Sequence, residues 1–292
     1  MTRRFDTALW AVRVVWLLQP LAFVTLLDEA TRQLSSTGRA IVAVTAWAVW
    51  STVLLAVFVP STVSITVGRL VAPMLAVIAV MCGTVGVAGW RLAIGLGASL
   101  LAVIVWFSGE VGAALAQGSA YGSEQRFPLK PPVPLLAPMA VSWILLCSTS
   151  LTAVTLLANR FWITGVLLAV IAKVLAFIVG PRFHQLSRRW LVVVPAGVVV
   201  HDPMMLTENA LFRSSQLAAL HLAPADTEAA DLTGGTGGVP IEIVLHTMDT
   251  IVKTGTRADP AGTALHVLSV LVSPTRPGKA LSAAAARRLP VG

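Results

Sequence analysis

The chain has 292 residues, 56% of them hydrophobic and only 12% charged, a balance that excludes an ordinary soluble domain and points to a polytopic membrane protein. Its formal charge is +8, yet the basic residues stand singly or in pairs beside apolar runs, with no basic stripe interleaved with aromatics. That pattern argues against nucleic acid as a partner and fits anchoring at an inner leaflet, with the lipid bilayer itself as the first partner. Cys82 and Cys147 both lie inside hydrophobic runs, so neither a disulfide framework nor a zinc spacing is present.

The first residues, MTRRFDTALWAVRVVWLL, place two arginines before an apolar run as a signal peptide would. Arg13 interrupts the run and no small-residue cleavage site follows, so a retained first helix is expected. A hydrocarbon core about 30 Å thick needs roughly 20 apolar residues per helix. Runs of that kind span Thr7 to Leu27, Ala40 to Val59, Leu70 to Trp90, Leu92 to Val111, Leu135 to Leu157 and Trp162 to Val179, about six helices in all. Only a turn containing Arg91 separates the third from the fourth, which predicts a tight hairpin. The fourth and fifth are joined by GSAYGSEQRFPLKPPVP, a polar and proline-stiffened link.

Orientation follows from where Lys and Arg collect. With the N-terminus inside, Arg3, Arg4, Arg69, Arg126, Lys130, Arg182, Arg188 and Arg189 face the cytoplasm, against Arg32, Arg39, Arg91 and Arg160 outside. The reading is a bacterial inner membrane with both termini cytoplasmic. It divides the chain into a transmembrane helical domain, 1–181, and a cytoplasmic β-rich domain, 182–292.

Beyond Arg189 the hydrophobic period changes to two. Trp190 to Val194, the turn Pro195-Ala196-Gly197, and Val198 to His201 read as a hairpin ended by Asp202 and Pro203. Further strands are predicted over Asn209 to Arg213, Gln216 to Leu222, Ile241 to His246, Thr250 to Thr254 and Ala264 to Val272. The stretch Asp226 to Gly238, ending GGTGG, reads as a flexible loop and lacks the Lys-Ser/Thr of a phosphate-binding loop. A last helix is predicted through Pro277 to Leu289, capped by Ser273 or Thr275. Short strands closed by one C-terminal helix make a small barrel or sandwich.

That order of strands and final helix, placed behind membrane spans, resembles the bacterial pleckstrin-homology-like domains over about Leu186 to Leu289. YGSEQRFPLKPP, RRWLVVVPAGVVVHDP and PTRPGKALSAAAARRLP together resemble an uncharacterised family of polytopic membrane proteins of high-GC Gram-positive bacteria. The first resemblance implies a binding or scaffold module. Neither implies catalytic residues or a cofactor.

Charged groups inside spans are costly and are the best functional pointers in such a chain. Arg13, Glu110 and Lys173 all fall in the inner-leaflet half of their helices, so a polar cluster of the three is geometrically permitted; the alternative is that the cations snorkel separately to phosphates. The second candidate is the link between the fourth and fifth spans, where Tyr121, Glu124, Arg126, Phe127 and Lys130 are placed to dock the C-terminal domain. Its alternative is a solvated Glu124/Arg126 pair with Phe127 as an interfacial anchor. The histidines share no metal-ligand spacing, and His201 and Asp202, as strand neighbours, point to opposite faces. No nucleophile elbow, CxxC or Walker sequence occurs, so a catalytic role is not favoured.

The reading that results is a membrane protein whose helical bundle presents a cytoplasmic binding or scaffold domain to a protein partner at the inner leaflet. A small transporter or membrane-embedded lipid enzyme using the three intramembrane charges is the alternative. An accessory subunit of a larger membrane complex is a further one.

Overall fold

The computed structural model describes residues 2–255 and 262–292, with only the backbone described over 2–6. The side chains of Arg3 and Arg4, which enter the orientation argument, therefore lie outside the described residues. Eight helices and eight strands are present among the described residues. They divide into two compact units, one formed by Met1–Gly118 with Ala140–Phe183 and the other by Ser119–Met139 with His184–Gly292. The units are thus interleaved along the chain, where the sequence suggested two consecutive blocks.

The first unit contains α1 (Thr2–Ala30), α2 (Ser36–Phe58), α3 (Thr62–Thr84), α4 (Gly89–Phe107), α5 (Gly109–Gln117) and most of α6 (Val133–Ala158) and α7 (Trp162–Ser187). All except α5 are long and apolar enough to cross a membrane, six candidate spans in total. Their outward faces carry large apolar side chains such as Leu21, Leu55, Ile104, Ile163 and Phe177, more than two thirds exposed, as bilayer-facing helices require. The six helices define a polytopic membrane protein.

One boundary differs from the hydrophobic pattern. The fourth run does not continue to Val111, because Ser108 takes an extended conformation and its hydroxyl accepts the Val111 N–H at 3.2 Å. A serine cap satisfies an orphan donor at a new helix start, so α4 stops at Phe107 and α5 begins. Glu110 therefore stands in the first turn of α5, where a carboxylate complements the helix dipole, and not at the end of a span.

Close packing in this unit depends on small residues under large ones. A Cβ at Gly68 of α3 would lie 2.1 Å from the Trp106 ring, and one at Gly95 of α4 would lie 2.7 Å from Leu26. Gly97, by contrast, faces open space. Trp16 and Trp50 each donate their indole N–H to the other's backbone carbonyl at 3.0 Å, tying α1 to α2. Trp16 also meets Trp106 edge to face at 6.3 Å, a favoured aromatic geometry.

The second unit holds two sheets and a helix. The first sheet is the antiparallel meander β1 (Gln125–Pro128), β2 (Trp190–Val194), β3 (Gly197–His201) and β4 (Ala210–Arg213). The second has the order β5-β7-β8-β6, from β5 (Leu217–Leu222), β6 (Ala230–Asp231), β7 (Ile241–Lys253) and β8 (Thr263–Val272). Alternate residues of both sheets, Phe127, Leu191, Val193, Val198, Val200, Phe212, Leu220, Ile243 and Val270 among them, enclose one apolar core with Ala280, Ala283 and Ala284 of α8 (Pro277–Ala286).

Three local expectations are corrected. The strands read as Ile241 to His246 and Thr250 to Thr254 are one thirteen-residue strand, β7, whose register shifts between Val244 and Asp249; a bulge bends a strand without ending it. The stretch read as a flexible loop contains β6, which pairs in parallel with β8. Neither Ser273 nor Thr275 caps α8, whose N-cap is Arg276, with no side-chain capping bond. Instead the Ser273 carbonyl accepts the Lys130 N–H and the Thr275 N–H donates to the Pro128 carbonyl, both at 2.8 Å.

Candidate functional site

The three intramembrane charges are placed as follows. Arg13 is half-buried in α1, with its guanidinium 5.4 Å from the Trp10 ring centre and 5.2 Å from that of Phe58. Such cation–π contacts shelter a cation in apolar surroundings, although its Nε is buried without a hydrogen-bond partner. Glu110 is exposed in the first turn of α5. Lys173 is exposed near the middle of α7. Among the described residues, neither Arg13 nor Lys173 forms an ion pair with Glu110 or any other carboxylate.

Arg69, which the sequence suggests as a loop cation, is inside α3 and serves the α4–α5 break. Its Nε donates to the Trp106 carbonyl at 3.2 Å, its guanidinium is 5.6 Å from the Phe107 ring centre, and a Cβ on Gly112 would lie 2.9 Å from its Nη2. A cation at the last carbonyls of α4 is favoured by the helix dipole. No spacing rule exposes this, because the break itself depends on one serine.

The inter-span link folds into the second unit as β1. It pairs with β2 in register Gln125↔Val193 to Pro128↔Trp190. Tyr121 remains exposed, and its backbone N–H donates to Glu124 Oε1 at 2.7 Å. Arg126 binds the same oxygen through Nη2 at 2.6 Å and Nε at 3.1 Å, with both side chains largely buried. Phe127 enters the core and is not an interfacial anchor. Lys130 donates its ammonium to the Gly237 carbonyl at 2.7 Å.

Beside this strand lies a buried ion pair. Arg189 donates Nε to Asp202 Oδ1 at 2.8 Å and Nη2 to Oδ2 at 2.6 Å, with the two side chains 1% and 0% exposed. Its Nη1 donates to the Lys130 carbonyl, so one guanidinium links β2, the end of β3 and the residues after β1. Asp202 in turn accepts the Met204 and Met205 N–H groups. A bidentate pair with its remaining lone pairs used is the geometry in which buried charges are tolerated.

The opposite face of this sheet carries an aromatic stack. The Arg126 guanidinium lies 4.9 Å from the Trp190 ring centre, and Trp190 stacks on His201 at 5.3 Å and 17°. His201 Nδ1 meets Asn209 Oδ1 at 2.6 Å, which makes Nδ1 the donor and leaves Nε2 a buried acceptor without a partner. Burial lowers the His201 pKa below its ordinary 6.5, with Arg188 and Arg126 acting the same way and Asn209 and Asp202 opposing. On the second sheet, Thr227, Glu228, Glu242, His266 and Ser269 line an open groove of about 320 Å³. Glu242 is buried there, and Thr250 Oγ1 holds His266 Nδ1 at 2.9 Å.

The class defined by these observations is a polytopic membrane protein with a β-rich unit that takes one strand from between its spans. No protein-family model, curated protein or solved structure matches the chain.

Proposed function

We propose that this is an integral protein of a bacterial inner membrane that presents its β-rich unit at the cytoplasmic face as a binding or scaffold module for a protein partner. The observation that carries the reading is the origin of β1: a strand from between the fourth and fifth spans pairs with one that follows the sixth. Paired strands share one side of a membrane, and the two spans between them satisfy that parity. Three chain connections join the units.

Cytoplasmic placement is supported by the excess of Lys and Arg flanking the spans on the side that carries the strands. Arg189 contributes to that bias while the chain is inserting, even though folding later buries it against Asp202. A four-strand meander followed by β5, β7 and β8 and a closing helix supports the similarity to pleckstrin-homology-like domains, with β6 as an added edge. The groove lined by Glu228, Glu242 and His266 offers a polar face to a partner. The transporter or lipid-enzyme reading needs the intramembrane charges to converge, and among the described residues Arg13 and Lys173 make no ion pair.

The test has two arms. A reporter fused after Gly292 should be active only in the cytoplasm. Purification from native membranes in mild detergent should retain a stoichiometric protein that Glu242→Arg with His266→Glu releases. A periplasmic reporter, or a small molecule retained in the helical unit with no protein lost in the variant, overturns the reading.

A further inference from the structure

Among the described residues, Glu242 is a buried carboxylate with neither a hydrogen bond nor an ion pair. It stands on β7 between Ile241 and Ile243, whose side chains enter the core, so strand alternation turns it to the outer face of the second sheet. There it is only 7% exposed. His221, its neighbour across the ladder on β5, turns Nδ1 to the Leu222 carbonyl at 3.1 Å instead. The hairpin end of β7, where Lys253 faces Thr263, stands eleven residues away, roughly 35 Å along the strand and out of side-chain reach. A carboxylate held in this way is costly until something pairs with it.

The space in front of Glu242 is the groove of about 320 Å³. One wall comes from the crossover between β5 and β6, the other from β8. The crossover is tied at both ends, by the Ala223 N–H on the Pro240 carbonyl at 2.9 Å and the Leu232 N–H on the Leu271 carbonyl at 3.1 Å. Between them the Thr227 hydroxyl accepts the Ala229 N–H at 3.2 Å, so the wall is formed before anything binds. Glu228 adds a second carboxylate at the exposed rim and Ser269 a hydroxyl, while among the described residues no Lys or Arg lines the space. Ala230 and Leu268 give it an apolar side.

We propose that this groove takes an arginine side chain of the protein partner, with the guanidinium seated on the Glu242 carboxylate and the methylene stem along Ala230 and Leu268. Charge complementarity selects a cation. A guanidinium carries five donors in a planar fork that matches a carboxylate with two parallel bonds, and it sheds water more readily than an ammonium does. A metal ion suits the groove less well: Glu228, Glu242 and His266 do not converge as a ligand set, and no group of three such residues does so among the described residues. His266 Nδ1 is already engaged by Thr250. The proposal rests on the reading of the β-rich unit as a partner-binding module and names the chemistry its groove recognises.

The full-length protein in detergent is titrated with a fluorescent, blocked alanine pentapeptide whose central residue is arginine, and with the same peptide carrying citrulline, the neutral isostere. Anisotropy should show the arginine peptide binding about tenfold more tightly. Glu242→Gln should erase that preference, and Glu228→Gln at the rim should reduce it by less. Equal binding of the two peptides, or a preference that survives Glu242→Gln, overturns the proposal. Thermal unfolding supplies the second measurement: Glu242→Gln should melt no lower than the wild type, since it removes a buried charge without a partner. A lower melting temperature shows that the carboxylate serves the fold and overturns the proposal. Binding of agmatine with exclusion of the blocked peptide overturns it in favour of a small-molecule site. Zinc or manganese that raises the melting temperature of the wild type but not of Glu242→Gln, with no peptide preference, overturns it in favour of a metal. The proposed function fails separately. A periplasmic reporter alongside arginine preference removes the cytoplasmic module and keeps the groove's chemistry, whereas a co-purifying partner that Glu242→Gln retains does the reverse.

Discussion

Removing Arg189 is the sharpest perturbation of the β-rich unit. Arg189→Met deletes two charge-assisted bonds to Asp202 and one to the Lys130 carbonyl, and leaves a carboxylate that is 0% exposed without its counter-charge. Breaking one partner of a buried pair costs about 3–5 kcal/mol. Two bonds to charged groups at about 1.5–3 kcal/mol each reach the same range independently. At about 4 °C per kcal/mol for a unit of this size, the melting temperature falls by about 12–20 °C. Asp202→Leu should cost a similar amount, because it strands the guanidinium and also frees the Met204 and Met205 N–H groups. The double variant removes both charges, so it should be less destabilised than either single variant. Thermal unfolding of the full chain in detergent, with hydrogen exchange read on β2 and β3, measures all three. Single variants that each lose under about 1 kcal/mol, or a double variant that loses the sum of the two, would refute the reasoning.

The other predictions concern single contacts. Gly68→Val drives a methyl into the Trp106 ring and should destabilise the helical unit by about 1–3 kcal/mol, partly rescued by Trp106→Leu, with monodisperse yield in detergent as the readout. Phe127→Ala should cost about 3–5 kcal/mol and raise hydrogen exchange over β1, since it empties a core position on a four-residue edge strand. Gly197→Ala meets both a φ of 146° and the Phe212 carbonyl 2.1 Å from the new Cβ, so the β2–β3 turn should lose protection from exchange. His201 has a folded pKa below its unfolded value, so protonation favours the unfolded state. Its contribution is complete above about pH 6.5 and is lost as pH falls through the folded pKa. Urea midpoints should therefore drop between about pH 7 and pH 5 in the wild type, with the part due to His201 absent in His201→Phe.

The spans were legible because apolar length is a long-range average that a single residue seldom disturbs. The α4–α5 break was not, because it turns on the Ser108 hydroxyl capping Val111, a signal one residue wide inside an apolar run. The β2–β3 hairpin was legible from its β-branched alternation, and its register implied more than the alternation itself. Trp190 opposite His201 sets Arg189 and Asp202 across from one another, so the buried pair follows from extending the ladder by one step. The single strand β7 reads as two because its bulge interrupts the alternation near Thr247 and Met248. The link between the spans looked like a docking segment from its stiffness and polarity, but its pairing with β2 is a contact across some sixty residues that no local pattern encodes. The intramembrane charges were visible as types; what each one faces depends on helix rotation, which the nearly uniform apolar faces of α6 and α7 leave unmarked.

That long-range pairing also bears on how the β-rich unit forms. β1 precedes β2 by two apolar helices, so the sheet closes a loop that would carry a substantial entropic cost in a free chain. The helical hairpin reduces it. Between α6 and α7, Arg160 adopts a left-handed conformation while the Phe161 N–H donates to the Leu156 carbonyl and the Arg160 N–H to that of Leu157, a Schellman closure that reverses the chain within a few residues. Gly165 packs against Leu157 across the same turn. With α6 and α7 inserted as a hairpin, the bilayer returns the residues after α7 to the side on which β1 was left, and the remaining search is local. On the proposed membrane placement, insertion of the last two spans is a step in assembling the β-rich unit. A chain whose α6–α7 turn cannot reverse should leave β1 unpaired even when β2 and β3 form their hairpin.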